Sequence, residues 1–145
     1  MQAVTCPIHH ETDVYLAIKR GRDLTTALGF DDIDRTRIEI VILELTRNIL
    51  AHAGKGELHL DTLEEPDRRG ILVMAQDRGP GIADIALAMR DGYSTTHTLG
   101  AGLPGVRRLM DDFTINSELG VGTMVRAVKW VGKPRQTGYL GGRQS

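Results

Sequence analysis

Between residues 14 and 28, small or apolar side chains recur at helical intervals. Val14, Ala17, Gly21, Leu24 and Leu28 fall at offsets 0, 3, 7, 10 and 14, tracing one face of a 3.6-residue helix. Thr12 and Asp13 are capping types ahead of it, and Gly29 offers a stop. Residues 4–9 are too short and mixed to assign. Asp31, Asp32 and Asp34 place negative charge where the dipole of a second helix favours it, and Ile38, Val41, Ile42, Leu45 and Ile49 form its buried stripe. This helix is expected to end near Gly54. After Gly56 the period drops to two: Leu58 and Leu60 alternate with Glu57, His59 and Asp61, as in a half-buried strand. The apolar run 71–75 has strand length, so the two segments read as an antiparallel hairpin around the polar turn 64–70. Short helices follow over 85–89 and 104–110 on either side of a polar loop. Phe113, Ile115 and then 124–131 read as two closing strands around the turn 118–122.

The order is two long helices, a hairpin, two short helices around a loop and a closing hairpin. No βαβ crossover repeats, so the expected architecture is an α+β two-layer sandwich. The 145 residues suit one domain, expected over 1–131 with a loose basic tail at 132–145. Eighteen Lys and Arg against 19 Asp and Glu leave a net charge of −1, which argues against a nucleic-acid partner. Cys6 is the only cysteine, so neither an intrachain disulfide nor a thiolate metal site is expected. The longest apolar stretches fall far short of the roughly 18 residues of a membrane span, and no basic segment followed by an apolar run opens the chain. A cytoplasmic protein without a membrane partner is expected.

Seventeen glycines are more than the average usage of about 7% supplies, and several sit beside candidate chemistry. Glu44 and Asn48 are four residues apart, so they share one helix face about 40° from one another. They fall at the margin of the apolar stripe, where a polar side chain needs a partner. Asp77 follows an apolar strand and opens Asp-x-Gly-x-Gly through Gly79 and Gly81, a pattern that lets backbone approach a ligand closely. The segment Gly100-Ala-Gly102-Leu103-Pro-Gly105 leads into a helix, where free N–H groups and a positive dipole end favour anions. It also fits Gly-x-Gly-x-x-Gly. The stretch before it is polar, however, and only 40 residues follow Gly105, too few to complete a doubly wound sheet.

Glu44-x-x-x-Asn48-x-x-x-His52-Ala53, Asp77-x-Gly79-x-Gly81, Gly100-x-Gly102 and Gly120-x-Gly122-Thr123, in that order, resemble the four sequence boxes of the GHKL, or Bergerat-fold, ATPase superfamily. The resemblance covers roughly residues 10–131. Within the superfamily the chain is most similar to the small serine kinases that act on anti-sigma-factor antagonists, through 53–56, 79–82, 91–95 and 100–111. The resemblance implies a mixed, mostly antiparallel sheet with helices on one face. It further implies Mg²⁺·ATP as cofactor, with Asn48 as metal ligand and Glu44 as general base. Asp77 and Thr123 would read the adenine edge, and Gly79, Gly81, Gly100, Gly102 and Leu103 would complete the nucleotide site. The loop 92–102 would be a lid, to which Ser94, Thr95 and Thr96 could add hydroxyl donors. Implied partners are STAS-domain antagonist or stressosome proteins, and a PPM-type phosphatase or a sigma factor; the alternative is an anti-sigma factor that binds a sigma factor and phosphorylates its antagonist.

Other tempting residues have plainer explanations. His52, near the middle of the apolar stripe, is expected to be packed and hydrogen-bonded. His9, His10, His59 and His97 lack metal-ligand spacing. Cys6 is expected to be inert, and Lys55, Arg107 and Arg108 to be solvated.

Overall fold

The helical stripes become α1 (Glu11–Leu28) and α2 (Asp32–His52) in the computed structural model, which describes residues 3–90 and 102–132. α1 buries Val14, Ala17, Gly21, Leu24 and Leu28, the five positions marked by periodicity. It begins slightly earlier than the capping types suggest. Asp13 lies inside the first turn, and its carboxylate accepts the N–H groups of His9 and His10 at 2.9 and 3.0 Å. Those two bonds, His9's first, hold the Asp13 carboxyl below its ordinary range. Gly29 closes the helix in the left-handed region, φ 89°, donating to the carbonyls of Thr25 and Thr26. Asp31 caps α2 by accepting the Asp34 N–H at 2.8 Å, and Gly54 returns its N–H to Ile49 at 2.9 Å. A Cβ on Gly21 would overlap Ile42, so that glycine sets how closely the helices approach.

Five strands form one sheet: β1 (Ala3–Ile8), β2 (Gly56–Glu65), β3 (Arg68–Asp77), β4 (Asp112–Glu118) and β5 (Gly122–Trp130). Their order is β1-β2-β3-β5-β4, and every described pair is antiparallel. The expected α+β sandwich forms. β1 is an addition, an edge strand in which only Cys6 and Ile8 are buried. Burial also pushes the Cys6 thiol up, away from the reactive thiolate. The β2–β3 hairpin is longer than its apolar core suggests, because Glu64 pairs with Arg69 and Glu65 with Arg68 beyond it. Leu58, Leu60, Ile71, Val73, Ala75, Val125 and Ala127 are buried, and α1 and α2 pack on these strands. Each fully buried Ile or Leu contributes about 1.5–3 kcal/mol. α3 (Ile85–Ala88) is capped by Asp84, and α4 (Gly102–Leu109) packs on α2 and β4. The tail beyond Gly132 lies outside the described residues.

One buried cation ties these layers together. Lys129 of β5 is 6% exposed. Its ammonium donates to the Leu109 carbonyl at 3.0 Å and lies 3.8 Å from both Asp34 and Asp111. It joins the start of α2, the end of α4 and the sheet. Without Lys129, Asp34 keeps Arg37 at 3.0 Å and Asp111 stays partly exposed, so the main loss is the bond to the Leu109 carbonyl. Lys129→Ala is therefore expected to destabilise the fold by about 1–3 kcal/mol, measured by denaturant unfolding.

Candidate functional site

A cleft of about 410 Å³ opens between the C-terminal half of α2, the ends of β3 and β5, and the start of α4. Leu45, Ile49, Ala75 and Val125 give it an apolar floor. Asn48 enters from α2 and Asp77 from the last position of β3; Thr123 enters from β5, directly opposite Asp77 in the sheet register. The volume and the mostly apolar lining with a few convergent polar groups are those of a small-molecule site.

The loop after β3 is shaped by close backbone approaches. Asp77 Oδ1 accepts the Gly79 N–H at 2.8 Å. A Cβ on Gly79 would stand 2.6 Å from the Cβ of Ala53, so only glycine lets this turn tuck against the end of α2. Gly81 has φ 81°, and a Cβ there would meet the Glu118 carbonyl at 2.5 Å. Two further bonds fasten the loop to the β4–β5 hairpin: Gly120 N–H donates to the Pro80 carbonyl at 2.9 Å, and Ile82 N–H to Ser117 Oγ at 2.7 Å. Asp77 is thereby held in one orientation. No described residue hydrogen-bonds its second carboxylate oxygen or the Asn48 amide, so both can serve a ligand.

Of the residues singled out from sequence, Asn48, Asp77, Gly81, Gly102, Leu103 and Thr123 line this one cleft. Gly79 shapes it from behind. Glu44 lies one helical turn before Asn48 and is wholly buried, outside the described lining. Gly100 and the rest of the expected lid, including Ser94, Thr95 and Thr96, lie outside the described residues. His52 differs from expectation: it is exposed and lines the cleft, with no described hydrogen-bond partner. It is the last residue of α2, where the stripe runs past the edge of the core. Ser117 was not singled out at all. It is an unremarkable polar residue in β4, and only the strand register places it opposite Thr123.

The histidine kinase-like ATPase domain family matches residues 10–129. Over 121 residues the chain is 46% identical to the serine/threonine-protein kinase RsbT of Bacillus subtilis, covering 83% of this chain and 91% of that protein. It is 28% identical over 103 residues to an anti-sigma F factor of Caldanaerobacter subterraneus, 68% of this chain and 71% of that one. Its fold matches the solved RsbU and RsbW domains of a Mycobacterium tuberculosis protein with a TM-score of 0.63 at 15% identity, over 92% of this chain and 34% of that longer one. With a family match from the start of α1 to the end of the sheet, the chain belongs to the histidine kinase-like ATPase domain family, of the GHKL type.

Proposed function

We propose that this chain is a Mg²⁺·ATP-dependent serine/threonine protein kinase acting on STAS-domain antagonist or stressosome proteins in a partner-switching stress pathway. The observation that carries this reading is the convergence of Asn48 and Asp77 on one apolar-floored cleft. A nucleotide must be held at its base and at its phosphates, and these two side chains stand on different elements facing one space. Likeness to RsbT over nearly the whole of that protein supports the enzyme class and the kind of partner.

In this reading Asp77 accepts the exocyclic amine of adenine with the oxygen that Gly79 leaves unused. Thr123 supports the same edge. Leu45, Ile49 and Val125 offer the flat ring an apolar bed. Gly102 and Leu103 lie at the start of α4, where its N-terminal N–H groups would face the phosphates; Gly100, which lies outside the described residues, is assigned to the same site by its place in the sequence. Asn48 fits Mg²⁺, since its amide oxygen is a neutral hard donor without a described partner and such an ion takes most of its ligands from phosphate and water. Among the described residues no cluster of three His, Cys, Asp or Glu could hold a metal by itself, which suits an ion carried in with the nucleotide. When bound, the ion neutralises phosphate charge. Glu44, one turn of α2 before Asn48 but wholly buried outside the described lining, would take the proton of the incoming serine or threonine hydroxyl once the bound substrates give access to it; the hydroxyl oxygen bonds the γ-phosphorus as the bond from that phosphorus to ADP breaks. Among the described residues no helix is long and apolar enough to cross a membrane; we place the activity in the cytoplasm. Docking on a PPM-type phosphatase is a second proposed role.

A second reading, an RsbW-like anti-sigma factor that holds a sigma subunit and phosphorylates its antagonist, is favoured by the likeness to anti-sigma F factors. Binding of a purified sigma subunit supports that reading, and binding of STAS proteins alone supports the first.

Incubation of a STAS partner with the protein and Mg²⁺·ATP is expected to yield a phosphorylated serine or threonine by mass spectrometry. Glu44→Gln should retain ATP binding while transfer falls about 10²–10⁴-fold; undiminished transfer would remove Glu44 from the base role. Asp77→Asn has one acceptor oxygen where the Gly79 N–H and the adenine amine need two. ATP affinity, read by calorimetry, is expected to fall about 10- to 100-fold, and an unchanged affinity contradicts the assignment.

A further inference from the structure

A second hydroxyl, that of Ser117, stands behind the proposed base-reading edge. Asp77, Thr123 and Ser117 form a row across three adjacent strands, Asp77 opposite Thr123 on β5 and Thr123 opposite Ser117 on β4. Ser117 Oγ is within hydrogen-bond distance of three groups: the Ile82 N–H at 2.7 Å, Thr123 Oγ1 at 2.8 Å and the Gly122 carbonyl oxygen at 3.2 Å.

A serine hydroxyl has one proton to give and two lone pairs to receive with. The Ile82 N–H can only donate and the Gly122 carbonyl can only accept. If Ser117 gave its proton to Thr123, the Gly122 contact would have none. The arrangement that satisfies all three has Ser117 donating to Gly122 and accepting from both Ile82 and Thr123. Thr123 then directs its proton away from the cleft and presents only lone pairs to it. Asp77 beside it is also acceptor-only when ionised. The two side chains that line this edge therefore both ask a ligand for hydrogen.

We propose that Ser117 is a specificity-positioning residue: by holding the Thr123 proton, it makes the base edge accept-only and selects a 6-amino purine over a 6-oxo purine. This rests on the nucleotide reading of the cleft. A 6-amino group carries two protons, enough for both acceptors of such an edge. A 6-oxo group brings another acceptor and leaves the adjacent N1–H as the sole donor, so one acceptor of the edge stays unpaired, and a site built to receive hydrogen bonds discriminates against such a ligand. Without the Ser117 oxygen, the Thr123 hydroxyl turns to donate into the cleft and tolerates the oxo group.

ATP and inosine triphosphate differ at the 6-position and the adjacent ring nitrogen, so their affinity ratio reads the polarity of this edge. Calorimetry with Mg²⁺ on the full chain is expected to show wild type preferring ATP, with the ratio falling about tenfold in Ser117→Ala. Ser117→Thr keeps the hydroxyl and should keep the ratio. Ser117→Cys fills the space with a poor acceptor and reads the same fall if the alanine variant is unstable. Equal weakening of both nucleotides, with the ratio unchanged in the alanine and cysteine variants, would mean that Ser117 only braces the loop and would overturn the proposal alone. Failure of wild type to bind ATP overturns the nucleotide reading and this inference with it.

Discussion

The site depends on how closely backbone packs around the end of β3. Asp77 is crowded on three sides by positions where a side chain does not fit. A Cβ on Gly56 would lie 3.1 Å from the Asp77 Cβ, one on Gly79 would press into Ala53, and one on Gly122 would overlap the Asp77 carbonyl. Gly122 also has φ 148°, a conformation that L side chains rarely adopt. These contacts draw the sheet, the glycine loop and the end of α2 together, so a carboxylate on a strand and an amide on a helix come to face one space. Larger residues here would push the elements apart and separate Asp77 from Asn48, whatever the chemistry of either side chain. Steric permission at glycines thus comes before electrostatics in building the cleft.

The parts of the fold legible in the sequence are those where one element's own period carries the signal. The stripes of α1 and α2 and the alternation around Leu58 and Leu60 need no knowledge of their neighbours. β1 was hidden because an edge strand of six residues buries only Cys6 and Ile8, too few positions to establish a period. The true length of the β2–β3 hairpin was hidden because its outer pairs are Glu with Arg, held by cross-strand attraction that hydrophobic pattern does not register. Near the cleft, Asn48, Asp77 and the glycines were legible because spacing within one segment identifies them. Two residues were misjudged for a common reason. Helical position suggested a marginal Glu44 and a packed His52. In the structure Glu44 is wholly enclosed and His52 exposed, because coverage by neighbouring elements follows where α2 enters and leaves the core.

α2 has two duties that constrain each other. Leu45 and Ile49 belong to the hydrophobic core and also line the cleft. Changes there to reshape the ligand space must also respect core packing, where removing a few methyl groups costs about 2–5 kcal/mol. The helix is pinned at its start by the Asp31 cap and by Lys129 near Asp34, and at its end by the Gly54 bond to Ile49. A ligand held between Asn48 and Asp77 therefore meets a helix fixed at both ends, with little of its binding free energy needed to order this wall.

The two ends of the cleft are built from different elements. The sheet end, the proposed base edge, is built from strand register and a loop tied by the Asp77–Gly79, Pro80–Gly120 and Ile82–Ser117 bonds. Every donor and acceptor there has a set direction, which is what recognition of a fixed aromatic edge requires. The opposite end begins at Gly102, φ 76°, where α4 starts with backbone N–H groups whose positions follow the helix itself. A phosphate chain has many conformers and is served by backbone groups and charge, with less need for directed side chains. The division follows from topology: the strands meet at Asp77, Thr123 and Ser117, and the helix that faces them starts across the gap. On the proposed reading, base selection would lie in the hydrogen-bond polarity of the sheet edge, and phosphate contact with the backbone N–H groups at the start of α4.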